Sequence, residues 1–240
     1  MTDKVALITG ANRGIGWATA LKLAQQGYRI ALVGRKLSEL QMAKTHLQLA
    51  RSGNHQYFVC DLSQTQEFPI LLDQVLKHFG RLDVIINNAG LLVEEDIAKA
   101  DLGAWDQALD INLRAGMHLI HHALPHLKRT AGSIVNIGST AGFRTYRGGA
   151  NYCATKYGLR GFSGALFEDV RNDGIKVCLI EPGFVNTQMH DAVKENLETE
   201  RMIQPEDVAE AISYVLATPT RICPTEITLM PQVDPRPTRR

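Results

Sequence analysis

The stretch 4–16, KVALITGANRGIG, restricts this chain more than any other. Val5, Ala6, Leu7 and Ile8 form an unbroken apolar run, which reads as a strand covered on both faces, because a half-exposed strand would alternate with polar residues. Glycines follow at 10, 14 and 16. Apolar residues at 18, 20, 21, 23 and 24 then predict a helix over 18–26 that ends at Gly27. Gly10 permits a tight turn, and Gly14 and Gly16 leave room where a ligand and the strand approach the helix start. The free N–H groups and positive dipole end of that helix favour a phosphate. The spacing is G-x-x-x-G-x-G, not G-x-G-x-x-G, so the flanking strand and helix carry much of the signal.

Further strands are read at 29–33, 56–60, 83–86, 133–137, 176–180 and 226–230. Helical patterns lie between them at 36–51, 65–79, 102–128, 151–171 and 205–216, the last opening on Pro205. Strand and helix alternate throughout. This predicts an α/β fold: a doubly wound, seven-stranded parallel sheet with helices on both faces, in a single domain over 1–230. The remainder, 231–240 (PQVDPRPTRR), reads as a flexible tail. Ligands of such sheets lie beyond the carboxyl ends of the strands. Five segments fall there: the turn at 9–16, Asp61, 87–90, 138–139 and 181–183.

Composition excludes several partners. The formal net charge is +1 and the pI about 7.7, so no electrostatic pull toward nucleic acid or an anionic membrane is expected. Cys60, Cys153, Cys178 and Cys223 show no C-x-x-C spacing and suit a reducing compartment. With no leader pattern and no run of membrane-span length, a cytoplasmic protein is expected. His118, His121, His122 and His126 share a helical stretch, but no metal is expected there, because no Cys or carboxylate completes a ligand set.

An NAD site of this kind usually places Asp or Glu about 20 residues after the glycines. Here the second strand ends at Gly34 and is followed by Arg35 and Lys36, with no acid before Glu39. A guanidinium pairs with a 2′-phosphate, which a carboxylate would repel. Arg13 adds a second positive charge within the glycine turn. NADP(H) is therefore expected over NAD(H), the alternative for both arginines being a solvated loop. Asp61 suits an adenine contact or, alternatively, a helix cap.

Tyr152 and Lys156 are four apart and share a helix face. A phenol with pKa ~10 is a poor acid or base at neutral pH, and a neighbouring ammonium is expected to lower that value. A tuned Tyr exchanges a proton with a carbonyl or alcohol oxygen. Ser139, at the end of the fifth strand, can bond the same oxygen. Asn112, read as lying at the start of a long helix, can hold a water.

With T-G-A-N-R-G-I-G at 9–16, Asp61, N-N-A-G at 87–90, Asn112, Ser139, Y-C-A-T-K at 152–156 and P-G-F-V-N-T at 182–187, the chain resembles the single-domain branch of the short-chain dehydrogenase/reductase family over about 4–230. The resemblance implies a Rossmann-like sheet and hydride transfer between NADP(H) and a small carbonyl or alcohol. Tyr152 would be the general acid/base, and Lys156 would tune it and bond the nicotinamide ribose. Ser139 would orient the carbonyl, and Asn112 would hold a water. The implied cofactor contacts are Gly10, Asn12, Arg13, Gly14, Ile15, Gly16, Arg35, Asp61, Leu62, Asn88, Ala89, Gly90, Tyr152, Lys156, Pro182, Gly183, Val185 and Thr187.

The resemblance also implies a homo-oligomer, a dimer or tetramer, paired through helices near 102–128 and 151–171, with Gly158, Gly161 and Gly164 allowing close approach. The segment 188–204 would lie over the substrate. It is charged through Asp191, Lys194, Glu195, Glu198, Glu200 and Arg201. Phe143, Tyr146, Phe184 and Met189 would line a modest pocket. The ending T-E-I-T-L-M-P-Q departs from the Asp-Gly-Gly-like turn of many relatives and speaks against an acyl-carrier-protein reductase. A catalytically silent dinucleotide-binding regulator is the rival of another class.

Overall fold

A computed structural model describes residues 3–190 and 197–236, with His190 described in its backbone alone. Seven strands form one sheet: β1 (Val5–Thr9), β2 (Arg29–Gly34), β3 (Gln56–Val59), β4 (Val84–Asn87), β5 (Ser133–Ile137), β6 (Lys176–Pro182) and β7 (Glu226–Leu229). Every pairing is parallel, in the order β3-β2-β1-β4-β5-β6-β7.

The apolar runs follow from the period-two geometry of strands covered on both sides. Ala6 and Ile8, with Ile30, Leu32, Val84, Ile86, Val135 and Ile137, pack against α1 (Gly14–Gln25), α2 (Leu37–Ala50) and α7 (Pro205–Ala217). Val5 and Leu7, with Val33, Ile85, Ile134 and Val177, pack against α3 (Phe68–Phe79), α5 (Ala115–Thr130) and α6 (Ala150–Val170). Two cores result, one on each face.

The chain builds β1, β2 and β3 in one direction, then returns to pair β4 with β1 and continues the other way. That reversal opens a crevice between the carboxyl ends of β1 and β4. A buried amide relay stiffens this half. Asn87 and Asn136 are register partners on β4 and β5. Asn87 Nδ2 donates to Asn136 Oδ1 at 3.0 Å, and Asn136 Nδ2 donates to Ser163 Oγ at 2.9 Å. At the opposite end of the sheet Asp83 accepts from the Val5 amide at 2.9 Å and takes a two-pronged bond from Arg81.

Two expectations are corrected. The single helix over 102–128 is α4 (Leu102–Leu109), a π-helical turn (Asp110–Arg114), then α5. Asn112 therefore sits within a mid-helix π turn rather than at a helix start, and such insertions commonly mark functional positions. The tail is not free from Pro231 onward. Pro235 is buried, and its carbonyl accepts from the Glu198 amide at 2.7 Å. Pro235 is thus seated on the domain, while 232–234 and Arg236 stay exposed. No helix among the described residues is long and apolar enough to cross a membrane.

Candidate active site

A cavity of about 1020 Å³ runs along the carboxyl ends of the strands, a volume typical of a ligand site. Gly10, Asn12, Arg13, Gly14 and Ile15 form one end, with Arg35, Cys60 and Leu62. Asn88, Ala89 and Gly90 line its middle, and Ser139, Tyr152, Lys156, Pro182, Gly183, Val185 and Thr187 the other part.

The glycine turn is held by backbone geometry. Gly10 has φ +64° and Gly14 φ +53°, a region that side chains disfavour. Gly16 is buried beneath the turn rather than facing the cavity. Thr9 fastens the turn to β4, its hydroxyl accepting from the Asn88 and Ala89 amides at 2.9 and 3.0 Å. Asn88 Nδ2 donates in return to the Thr9 carbonyl at 2.8 Å. A Cβ on Gly14 would meet Thr187 Cγ2 at 3.2 Å, so the loop after β6 closes on the turn.

At the outer end Arg13 and Arg35 are exposed along the cavity, and among the described residues neither forms an ion pair. Lys36 is different, because its ammonium bonds Glu39 at 2.8 Å. Glu39 also accepts from Asn12 Nδ2 at 2.5 Å, which ties the glycine turn to α2. The bond from Lys36 holds the Glu39 carboxyl below its ordinary value. Asp61 lies between two lining residues, but its carboxylate accepts from Ser63 N and Oγ at 3.0 and 2.9 Å, a local cap.

At the inner end Tyr152 and Lys156 are 8% and 5% exposed, one turn apart on α6. Ser139 hydrogen-bonds the Tyr152 phenol. Lys156 Nζ donates to the Ile137 carbonyl at 2.9 Å and lies 5.6 Å from the Tyr152 ring centre. Burial pushes the phenol up to about 12, and the Ser139 bond is the opposing pull. Burial also brings Lys156 down to about 8. The expected lowering of Tyr152 by Lys156 is therefore not what this site shows: burial raises the phenol, and Ser139 is what opposes it.

Asn112 is 3% exposed, and its side chain is committed to the surrounding fold. It accepts from the Leu91 amide at 2.7 Å, donates to the Leu91 carbonyl at 2.8 Å, and reaches Thr155 Oγ1 at 3.2 Å. It thus clamps the segment after β4 to the helix that carries Tyr152.

Tyr146, Phe184 and Met189 line the substrate side of the cavity; Phe143 does not. The Phe143 ring instead lies under Arg160 at 5.2 Å and Arg144 at 5.5 Å. Asp191, Lys194 and Glu195 lie outside the described residues. Glu198 and Arg201 pair with each other at 2.9 Å, and Glu200 is exposed. His118 and His121 are exposed, and the His121 and His122 rings meet at 5.1 Å. No group of three potential metal ligands occurs among the described residues.

Sequence reasoning missed Glu39, Glu94 and Thr9. Glu94 lines the cavity and accepts the Tyr146 hydroxyl, and burial together with that bond pushes the Tyr146 phenol far upward. Thr9 was readable from its place directly before the first glycine. Glu94 lies in an irregular segment without a periodic signal.

A doubly wound sheet with this glycine turn, and a Ser–Tyr–Lys group farther along the same crevice, define the class of α/β oxidoreductases. The short chain dehydrogenase family model matches residues 4–198, and the chain belongs to that family. It is 30% identical over 232 residues to an uncharacterized oxidoreductase of Staphylococcus saprophyticus, covering 96% of this chain and 98% of the relative. A Staphylococcus aureus uncharacterized oxidoreductase is 32% identical over the same length, with the same coverage of each chain. Among solved structures, an alcohol dehydrogenase from the archaeon Thermococcus sibiricus, complexed with 5-hydroxy-NADP, superimposes with a TM-score of 0.89 at 28% identity. That match covers 98% of this chain and 99% of the other. A single-substitution form of actinorhodin polyketide ketoreductase with NADPH gives 0.88 at 29% identity, covering 96% and 97%.

Proposed function

We propose that the protein is an NADP(H)-dependent oxidoreductase that moves a hydride between the nicotinamide and a small ketone or aldehyde, or the corresponding alcohol. The observation that carries this reading is the meeting of Ser139, Tyr152 and Lys156 in the wall of the cavity that begins at the glycine turn. The residues present fit the cofactor. The positive-φ glycines and the start of α1 suit the pyrophosphate, and Arg13 and Arg35 suit a 2′-phosphate. The solved relatives above that carry NADP or NADPH support the same choice.

When bound, the cofactor supplies the hydride. Tyr152, held protonated by its burial, gives its proton to the carbonyl oxygen as that oxygen becomes an alkoxide. Ser139 holds the same oxygen against the phenol. Lys156, whose ammonium bonds the Ile137 carbonyl, would also hold the ribose hydroxyls of a bound cofactor and keep a positive charge near the phenol. Tyr146, Phe184 and Met189 supply an apolar wall beside the reacting carbon.

The enzyme is read as a cytoplasmic homo-oligomer. Exposed Leu102, Leu109, Met117 and Tyr157 on α4, α5 and α6 support pairing through those helices. Gly161 and Gly164 open to free space there, whereas the place of a Gly158 side chain is taken by Leu113. A second reading, an NAD(H)-preferring enzyme, draws on Glu39, which occupies Lys36 beside the phosphate seat.

The test is NADPH and NADH absorbance over a panel of small ketones, aldehydes, quinones, ketosteroids, 3-oxoacyl thioesters and hydroxy acids. NADPH-dependent turnover is expected, with Tyr152→Phe losing roughly 10²–10⁴-fold while NADPH still binds. NADPH binding without turnover anywhere on the panel would instead mark a silent regulator.

A further inference from the structure

Glu181 stands one residue from the end of β6, and none of it reaches solvent. Neither of its carboxyl oxygens accepts a hydrogen bond. The nearest cation is Arg160, whose Nη1 is 3.8 Å away, while its Nη2 bonds Glu226 Oε1 at 2.7 Å. One guanidinium therefore serves two carboxyls. Glu226 itself lies within hydrogen-bond reach of Glu181, a contact that needs a proton on one of them.

The place of this acid matters. A Cβ on Gly142 would sit 2.8 Å from Glu181 Oε1 and 3.1 Å from the Lys156 carbonyl, and one on Gly138 would sit 3.1 Å from Glu181 Cγ. The carboxyl is thus wedged between the 138–142 turn, which carries Ser139, and α6, which carries Tyr152 and Lys156. Arg160 is one turn beyond Lys156 on α6 and also covers the Phe143 ring at the end of the same turn.

We propose that Glu181, holding a proton against Glu226, is a positioning residue that fixes the Ser139 turn relative to Tyr152, and that loss of this proton loosens the turn. The inference rests on the carbonyl chemistry read above for Ser139 and Tyr152. Ionisation would put a full negative charge on a carboxyl that solvent does not reach, beside a second carboxylate that competes for the same guanidinium. Arg160 must then move toward Glu181, and Phe143 and the turn beneath it move with that side chain.

The charged groups acting on Glu181 are Arg160 from α6 and Glu226 from β7; Lys156 directs its ammonium away, to the Ile137 carbonyl. The 138–142 turn presents backbone and no titratable side chain. Burial, then the bond with Glu226, pushes the carboxyl up to about 7 against the pull of Arg160, so the transition falls in the neutral range.

The experiment compares the wild type with Glu181→Gln, which keeps the size and can still donate to Glu226, and with Glu226→Gln. Infrared titration of the protein should show a buried carboxylic acid that ionises across neutral pH and is missing from Glu181→Gln. Backbone exchange over 138–143, corrected for its intrinsic pH dependence, should accelerate above neutrality in the wild type and stay level in Glu181→Gln. In NADPH-dependent reduction, KM for the carbonyl should rise severalfold over that range in the wild type, with a flat profile and near-normal kcat in Glu181→Gln. Identical exchange and KM profiles in the two proteins, or no protonated carboxyl, would overturn the proposal. If no carbonyl is reduced but the exchange profiles differ, the enzymatic reading fails and the brace behind the turn stands.

Discussion

Gly16 lies so close to Gly10 that a Cβ on it would sit 2.3 Å from the Gly10 carbonyl oxygen and 2.6 Å from Asn88 Nδ2. No rotation relieves this contact, because one side of it is backbone. Gly16→Ala is expected to cost about 2 kcal/mol or more of stability. It should lower Tm by roughly 5 °C and weaken NADPH binding at least about tenfold. Calorimetry and fluorescence titration check both. Unchanged affinity would show that the turn does not seat the pyrophosphate.

On the proposed reading, Arg35 would carry the choice of coenzyme. Its exchange for aspartate removes a charge-assisted bond and adds repulsion, so the NADPH-to-NADH ratio of kcat/KM should drop about 10- to 100-fold. Steady-state kinetics with each coenzyme measures this. A wild-type preference for NADH would remove the argument from the two arginines.

The pH profile of reduction should follow Lys156, whose ammonium is desolvated down to about 8. It is charged below that value and neutral above it. Since kcat/KM reports groups of the free enzyme, the Lys156 decline as pH rises through about 8 should stand alone in Glu181→Gln, where the neutral-range rise in KM is absent. Lys156→Met should be slow throughout and show no such decline.

His55 should make the fold sensitive to acid. It is buried, its Nδ1 accepts from the Ile30 amide at 3.2 Å, and its Nε2 lies 3.2 Å from the Arg51 carbonyl. This pattern needs a neutral ring, and burial lowers its value from the ordinary 6.5. The unfolded chain therefore takes up the proton first. The stability contribution is complete above that ordinary value and is lost as pH falls below it. Thermal unfolding from about pH 7 to about pH 5 should show a falling Tm, with a shallower slope in His55→Gln. Equal slopes would place the acid sensitivity elsewhere.

The inner strands β1, β2, β4, β5 and β6 were legible because burial on both faces leaves largely apolar runs, whereas the outer β3 and β7, only partly buried, were read from short β-favouring stretches. The glycine turn and the Tyr152–Lys156 pair were legible because their spacing is local. What escaped depends on contacts between distant segments. The π turn at Asn112 follows no propensity, and its stabilising partners, Leu91 and Thr155, are remote in sequence. Phe143 looked like a pocket residue until Arg160 was seen above it. Burial reversed the expected shift of Tyr152, and no short motif records how much water a fold removes.

The seating of Pro235 on the domain has a practical corollary. Met230, Pro231, Asp234, Pro235 and Arg236 all border the crevice, so a purification handle added after Arg240 is separated from its rim by only four residues. The amino-terminal side of β1 lies at the opposite end of the strands, beside Asp83 and Arg81. Affinity tags, surface immobilisation and reporter fusions therefore belong at the front of the chain, where they leave the mouth of the site clear.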